Sequence, residues 1–318
     1  MPKAPDRSPI FHHRAFALPL NSTFRLPALI STPPSVGALN LELVTRSEVE
    51  RLWSAGSREA VWTTMIDERP YTMERGRAGD HLMAYGDDAL FLLSPDGHEL
   101  RCAPAEPTAT AWQRFLLDTV LWSASLLNGV ELLHSSAVQG PAGVVAFAGF
   151  SGCGKTSLAA ELLGQGFTFF TDDILALTPA RHEVRVHPGP AAMNLPQGNA
   201  RPEGLGEILA PFEHEDWVAV ERAAAEPDRL AAVCLLRRRP GSWPGLRRLQ
   251  STVLDVLPFT LGFPHLPGRM RQRFTLFAGL AAEVPIYELT APLDAPPRSL
   301  TELVEPLLFG RAPRRRAA

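Results

Sequence analysis

Between residues 81 and 103 short apolar runs are separated by turn signals, and beyond Trp112 runs of strand length alternate with runs of helical period. The first texture predicts a β-meander with strands over 81–85, 89–93 and 98–103. Gly86-Asp87-Asp88 and Ser94-Pro95-Asp96-Gly97 mark its turns, the second ending in the Asp-Gly pair that tolerates left-handed backbone. A short helix over 47–52 precedes it, and residues 1–38, rich in Pro, Ser and Thr, are expected to form a loosely ordered arm. The Pro-rich run 103–107 reads as a linker. The predicted organisation is therefore an arm (1–38), a smaller β-rich region (39–105), an α/β domain (106–310) with a central mixed sheet and flanking helices, and a basic tail (311–318).

Within the α/β part a helix over 112–127 leads to a strand over 131–138, and a Gly-Pro turn leads to a strand over 144–150. A glycine-rich loop follows, then a helix over 155–163 with Leu158, Ala159, Leu162 and Leu163 at helical spacing, stopped by Gly164 and Gly166. A second short strand, 167–171, ends in Asp172-Asp173, with further strands expected over 174–177, 183–187, 230–236 and 284–289. The last helix has Leu300, Leu303, Val304, Leu307 and Leu308 on one face, a predicted Ser299/Glu302 capping box and a closing Gly310.

Composition narrows the classes. A hydrophobic fraction of 45% over 318 residues supplies an ample core, and a net charge of −3 argues against nucleic acid as a partner. The apolar stretch 115–133 contains Asp118, Asn128 and Glu131, which makes it a buried helix rather than a membrane span. Cys102, Cys153 and Cys234 have neither disulfide-framework nor zinc spacing. No leader-like order of basic, apolar and small residues opens the chain, so the expected compartment is the cytoplasm.

Of 31 basic residues only Lys3 and Lys155 are lysine. Lys155 lies in Gly149-Phe150-Ser151-Gly152-Cys153-Gly154-Lys155-Thr156, which fits the G-x-x-x-x-G-K-[ST] phosphate-loop pattern. Backbone N–H groups of such a loop converge on phosphate oxygens, and a compact ammonium on a flexible stem fits among them where a planar guanidinium does not. The predicted strand and helix on either side supply the context that the motif requires. Thr156 would then hold Mg²⁺. Asp172 and Asp173 end a strand near this loop, where one carboxylate could bind metal and the other deprotonate an attacking hydroxyl. His134 in Leu133-His134-Ser135-Ser136 reads as a hydrogen-bonded core residue or a site residue, and Arg237 to Arg239 and Arg269, Arg271 and Arg273 form two basic clusters, each a solvated face or a group able to reach phosphate or an acidic acceptor. With no lysine beyond Lys155 the guanine-reading N-K-x-D motif is absent, and so is the L-S-G-G-Q motif of ABC ATPases.

These elements together resemble the catalytic domain of the HPr kinase/phosphorylase family, which reads approximately His-Gly, G-D-S-G-x-G-K-S, a helix and a Gly, then a strand ending Asp-Asp. Here His134 precedes Lys155 by 21 residues, and Asp172 and Asp173 follow it by 17 and 18; the resemblance covers about 132–177. It implies that residues 149–156 hold ATP phosphates, with Lys155 at the β/γ charge and Thr156 and Asp172 at Mg²⁺. It further implies Asp173 as the base toward the acceptor hydroxyl and His134 beside the phosphates. The family's N-terminal domain is not recognisable in 1–105, and its Glu-x-x-Gly-Leu-Gly segment has only a partial counterpart around Glu203, a candidate second metal contact. The chain is closer to the short HPr-kinase-like proteins, some of which phosphorylate peptide hydroxyls. The expected function is thus an ATP- and Mg²⁺-dependent kinase acting on a hydroxyl such as serine of a protein or peptide. A nucleotide-binding sensory module and a small-molecule hydroxyl kinase are the alternatives. The family's hexameric habit raises a homo-oligomer as an expectation.

Overall fold

A computed structural model describes residues 9–53, 58–66, 68–180, 183–198, 201–250, 252–263 and 267–312. Contacts divide the chain into two compact units, one running through Asn128 and including Phe263, the other comprising 129–262 and the residues from 267 onward. Most of the basic tail, 313–318, lies outside the described residues.

The first unit is built on β1 (Phe11–Ala15), β2 (Leu18–Ser22), β3 (Leu39–Leu43), α1 (Arg46–Trp53), β4 (Arg58–Ile66), β5 (Arg69–Gly76), β6 (His81–Tyr85), β7 (Ala89–Leu93) and β8 (Glu99–Pro104). The strands form one sheet in the order β1-β2-β3-β8-β7-β6-β5-β4. The described part of the expected arm is therefore not loose. Its β1–β2 hairpin turns on Phe16-Ala17, both with positive φ (49° and 69°), so it lacks the Asn or Gly that announces such a turn. Phe16 is buried, and burial stands in for turn chemistry.

The helical stretch follows as α2 (Ala111–Phe115), a π turn over Leu116–Val120 and α3 (Leu121–Leu127). It belongs to the first unit, so the chain divides after Asn128 rather than at the Pro-rich run near 105. The cause is aromatic packing. Phe115 stacks on Tyr85 at 4.1 Å and meets Tyr71 edge-on at 5.3 Å. The buried Arg114 pairs with Asp118, and the buried Ser125 donates to the Phe16 carbonyl, so polar groups of this helix find partners within the unit. Among the described residues no helix is long and apolar enough to cross a membrane.

The second unit contains β9 (Glu131–Gly140), β10 (Gly143–Ala148), α4 (Lys155–Gly164), β11 (Thr168–Thr171), β12 (Ile174–Ala180), β13 (Glu183–His187), β14 (Ala192–Pro196), β15 (Leu205–Pro211), β16 (Glu215–Val220), β17 (Asp228–Arg238), β18 (Gly245–Arg248), α5 (Val253–Val256), β19 (Thr260–Leu261), α6 (Met270–Glu283), β20 (Ile286–Ala291) and α7 (Arg298–Leu308). A mixed sheet runs β10-β9-β12-β13-β17-β20-β18, with β11 and β19 also on β9 and a further parallel pairing of β10 with β17. Strands β14, β16 and β15 form a separate small sheet. The large sheet is covered on both faces. Phe147, Cys234 and Leu236 pack with Leu158 and Leu162 of α4 and Val304 of α7, while Val144, Val233 and Leu235 pack with Val256 of α5 and Phe277 and Leu280 of α6. Double coverage explains why β10 is an unbroken apolar run, buried at every position. The chain thus has an α/β fold and a β-rich N-terminal region.

One expectation at a helix start is corrected, and one basic cluster is placed. No capping box forms at α7: its N-cap is Pro297, and the Ser299 hydroxyl donates to the Pro296 carbonyl. Pro296-Pro297 preset the first turn instead. At α6, Arg269 and Arg273 of the basic cluster both pair with Glu131 at the start of β9, whose side chain is 4% exposed.

Removing that carboxylate leaves two guanidinium groups with little access to water. Glu131→Ala is expected to destabilise the unit by about 3–5 kcal/mol, read as a lowered urea midpoint, the cost typical of breaking a buried ion pair.

Candidate functional site

The site assembles at one edge of the large sheet. Strands β10 and β11 are both antiparallel to β9, so they run the same way and their C-terminal ends share an edge. They are not adjacent, as parallel neighbours would be, because β9 lies between them. Its residues Ser135 and Ser136 pair with Ala148 and Phe147, and His134 pairs with Ile174. The N-terminal end of β9 thus brings the His134 segment to the same edge as the phosphate loop and the aspartates.

Residues 149–156 leave β10 and turn into α4. A β-carbon at Gly149 would fall 2.6 Å from Cys153 Sγ and 2.9 Å from the Leu236 carbonyl, so this position admits only glycine without displacement. Gly154 caps α4 in the left-handed region at φ 95°. Lys155 is buried at the first helical position, and burial raises the Cys153 thiol pKa. Phe150 is 70% exposed and packs its ring 5.4 Å from Phe259. A cleft of 420 Å³ opens beside the loop, bordered by Gly152, Gly154, Ser157, Leu195 and Arg238.

Asp172 and Asp173 diverge. The first turns toward the loop helix: its Oδ1 accepts from Thr156 Oγ1 at 2.9 Å and Ser136 Oγ at 2.7 Å, and its Oδ2 accepts from the Asn194 backbone N–H at 3.2 Å. Burial, with the Asp173 charge beside it, pushes the Asp172 carboxyl up to about 7. Asp173 has a positive φ of 57°, which an aspartate tolerates better than most residues. That conformation interrupts strand alternation and leaves its half-exposed carboxylate 3.8 Å from His134 Nε2, while its carbonyl accepts from the Ser135 N–H.

The structure therefore brings Thr156 to Asp172 and His134 to Asp173. It leaves Glu203 apart from both, since its backbone nitrogen lies near Gly164, the far end of the ten-residue helix α4. Two contributors were not singled out in the sequence, and a third was named there only as one of a basic cluster. Ser136 and the Asn194 amide hold Asp172, and Arg238 donates to the Cys153 carbonyl from Nε at 2.9 Å and to the Pro292 and Ala295 carbonyls. Ser136 is legible only as one of two adjacent hydroxyls that follow His134 in β9. Arg238 is legible only as the middle of an arginine triplet, whose outer members face away.

Among the described residues no group of three or more His, Cys, Asp or Glu side chains is placed to hold a metal. Thr156 and Asp172 nonetheless suit Mg²⁺, which takes few protein oxygens and draws other ligands from phosphate and water. The raised Asp172 pKa records burial first and the neighbouring Asp173 charge second, and a bound cation would offset both.

No protein-family model matches this chain, and no curated protein matches it either. Among solved structures, the Hpr(Ser) kinase/phosphatase from Coxiella burnetii aligns with 56% of this chain and 94% of its own, at 12% identity and a TM-score of 0.31. At that score the likeness assigns no activity. What the fold and the site define is an α/β protein with a phosphate-loop motif at its sheet edge and two divergent carboxylates beside it.

A carboxyl raised above its unfolded-state value makes the folded state bind the extra proton, so its stabilising effect is present in acid and is lost as pH rises through about 7. Asp172→Asn removes this slope, and the Ser136 and Thr156 hydroxyls can rotate to accept from the new amide. The variant without nucleotide is expected to melt higher than the parent at pH 8, with the advantage shrinking toward pH 5, by calorimetry at both values.

Proposed function

We propose that this protein is an ATP- and Mg²⁺-dependent kinase that transfers the γ-phosphoryl group to a hydroxyl, with serine of a protein or peptide as the acceptor. The observation that carries the reading is the divergence of Asp172 and Asp173, one bonded to the loop threonine and the other turned outward beside His134. Phosphoryl transfer needs positioning and charge neutralisation more than covalent chemistry. Residues 149–156 would cradle the phosphates through backbone N–H groups, and Lys155 would neutralise the β- and γ-phosphate oxygens. Thr156 and Asp172 would hold Mg²⁺, which supplies further neutralisation of the transferred group. Asp173 takes the proton as the acceptor oxygen bonds to the γ-phosphorus and the bond to the β–γ bridging oxygen breaks, releasing ADP. His134 lies within reach of Asp173 to orient that carboxylate. This reading joins the HPr-kinase-like resemblance of the motif spacing. Three free, buried cysteines suit a reducing cytoplasmic setting.

The two chemical roles separate by mutation. Lys155→Ala is expected to abolish the ATP-dependent thermal shift. Asp173→Asn, an isosteric change that also tolerates positive φ, should keep the shift but slow label transfer from γ-labelled ATP to serine peptides by about 10²–10⁴-fold, the usual worth of a general base. ATP binding with no transfer by the parent protein to any hydroxyl would leave a nucleotide sensor in place of a kinase.

A further inference from the structure

Residues 229–254 hold six arginines and no acid, in a chain whose net charge is −3. Strand alternation divides the triplet that ends β17. Arg238 goes to the phosphate loop, while Arg237 and Arg239 go to the opposite face and meet Glu288 of β20 at 3.2 and 3.1 Å. Arg247, cross-strand from Glu288 on β18, joins the same carboxylate at 2.8 Å. Three guanidinium groups thus share two carboxylate oxygens. Glu288 is only 12% exposed, but Arg237, Arg239 and Arg247 are 44%, 57% and 70% exposed, so most of their donors and two net positive charges face solvent.

The connection from β17 to β18 adds an aromatic. Trp243 is 84% exposed, on the turn Arg239-Pro240-Gly241-Ser242 that precedes it. Pro240 at the second position, Gly241 at φ 66° in the third and the Ser242 N–H donating to the Arg239 carbonyl are the marks of a type II turn. Pro244 follows, so the tryptophan stands between two prolines. A large aromatic held out in solvent by a stiff turn is already ordered for binding. Arginine and tryptophan are also the residues that dominate interface hot spots.

We propose that this arginine array and the Trp243 turn form a docking surface for an acidic segment of the polypeptide acceptor. The inference rests on the kinase reading, since it assigns the acceptor to the surface that leaves β17 directly after the loop-binding Arg238. Guanidinium forks held in place by a shared carboxylate suit the carboxylates of Asp and Glu side chains. A lipid surface is disfavoured because Trp243 is the sole exposed large apolar residue of 237–250, and membrane-surface elements present a whole apolar face.

The test uses the full chain without Mg²⁺ and poly-L-glutamate as the probe. Trp243 emission is isolated by difference from Trp243→Phe. Polyglutamate should shield it from acrylamide quenching, and the effect should weaken with salt. Arg239→Glu combined with Arg247→Glu should weaken polyglutamate binding about tenfold or more with the ATP-dependent thermal shift unchanged, whereas Arg185→Glu, an exposed arginine elsewhere, should leave it intact. Unchanged affinity in the double variant overturns the proposal, and so does binding to phosphatidylserine vesicles in place of polyglutamate. The two readings fail separately. Polyglutamate binding that survives Lys155→Ala in a protein that transfers no label keeps the acidic-polypeptide surface and removes the kinase. Label transfer to serine peptides that neither polyglutamate nor the double variant affects keeps the kinase and removes the surface.

Discussion

The structure around the phosphate loop depends on how Asp172 is held. Its carboxylate gathers a hydroxyl from α4, a hydroxyl from β9 and a backbone amide from β14, so three elements far apart in sequence meet on two oxygen atoms. Enclosing that carboxylate is unfavourable by itself, as its raised pKa records. The three donors make the burial tolerable, and they fix the loop helix against the strand that carries the second aspartate.

Fixing one carboxylate decides where the other can go. Adjacent residues on a regular strand would point to opposite faces, and one of them would enter the core. The left-handed backbone at Asp173 breaks the alternation, and the Ser135 N–H bond to its carbonyl holds the break. The same logic recurs at the end of β17. There alternation is intact, and it sends Arg238 beneath the loop and its neighbours to Glu288. The end of one strand thus serves the loop with one face and solvent with the other.

Much of the second unit was legible because its signals are local. The apolar run of β10, the glycine loop and the helical spacing after Lys155 appear where the pattern places them, and β9, β13 and β17 fall within a few residues of their expected bounds. The failures share a cause. The β1–β2 hairpin turns on Phe16-Ala17, the 111–127 helix joins the first unit through Phe115, and α7 starts on a proline pair in place of a capping box. In each case a residue acts through what it packs against, which its neighbours in sequence do not encode.

Residue order alone determined that the chain carries a phosphate-loop motif between a strand and a helix, with two acids a fixed distance downstream, because backbone conformation and period are short-range properties. Only the tertiary structure decided that Thr156 meets Asp172, that His134 of β9 meets Asp173, and that one arginine of a triplet serves the loop while two arginines of α6 and its preceding turn serve Glu131. Those pairings depend on strand order and register. Register is set by how the whole sheet buries its two faces, and no local run of residues specifies it.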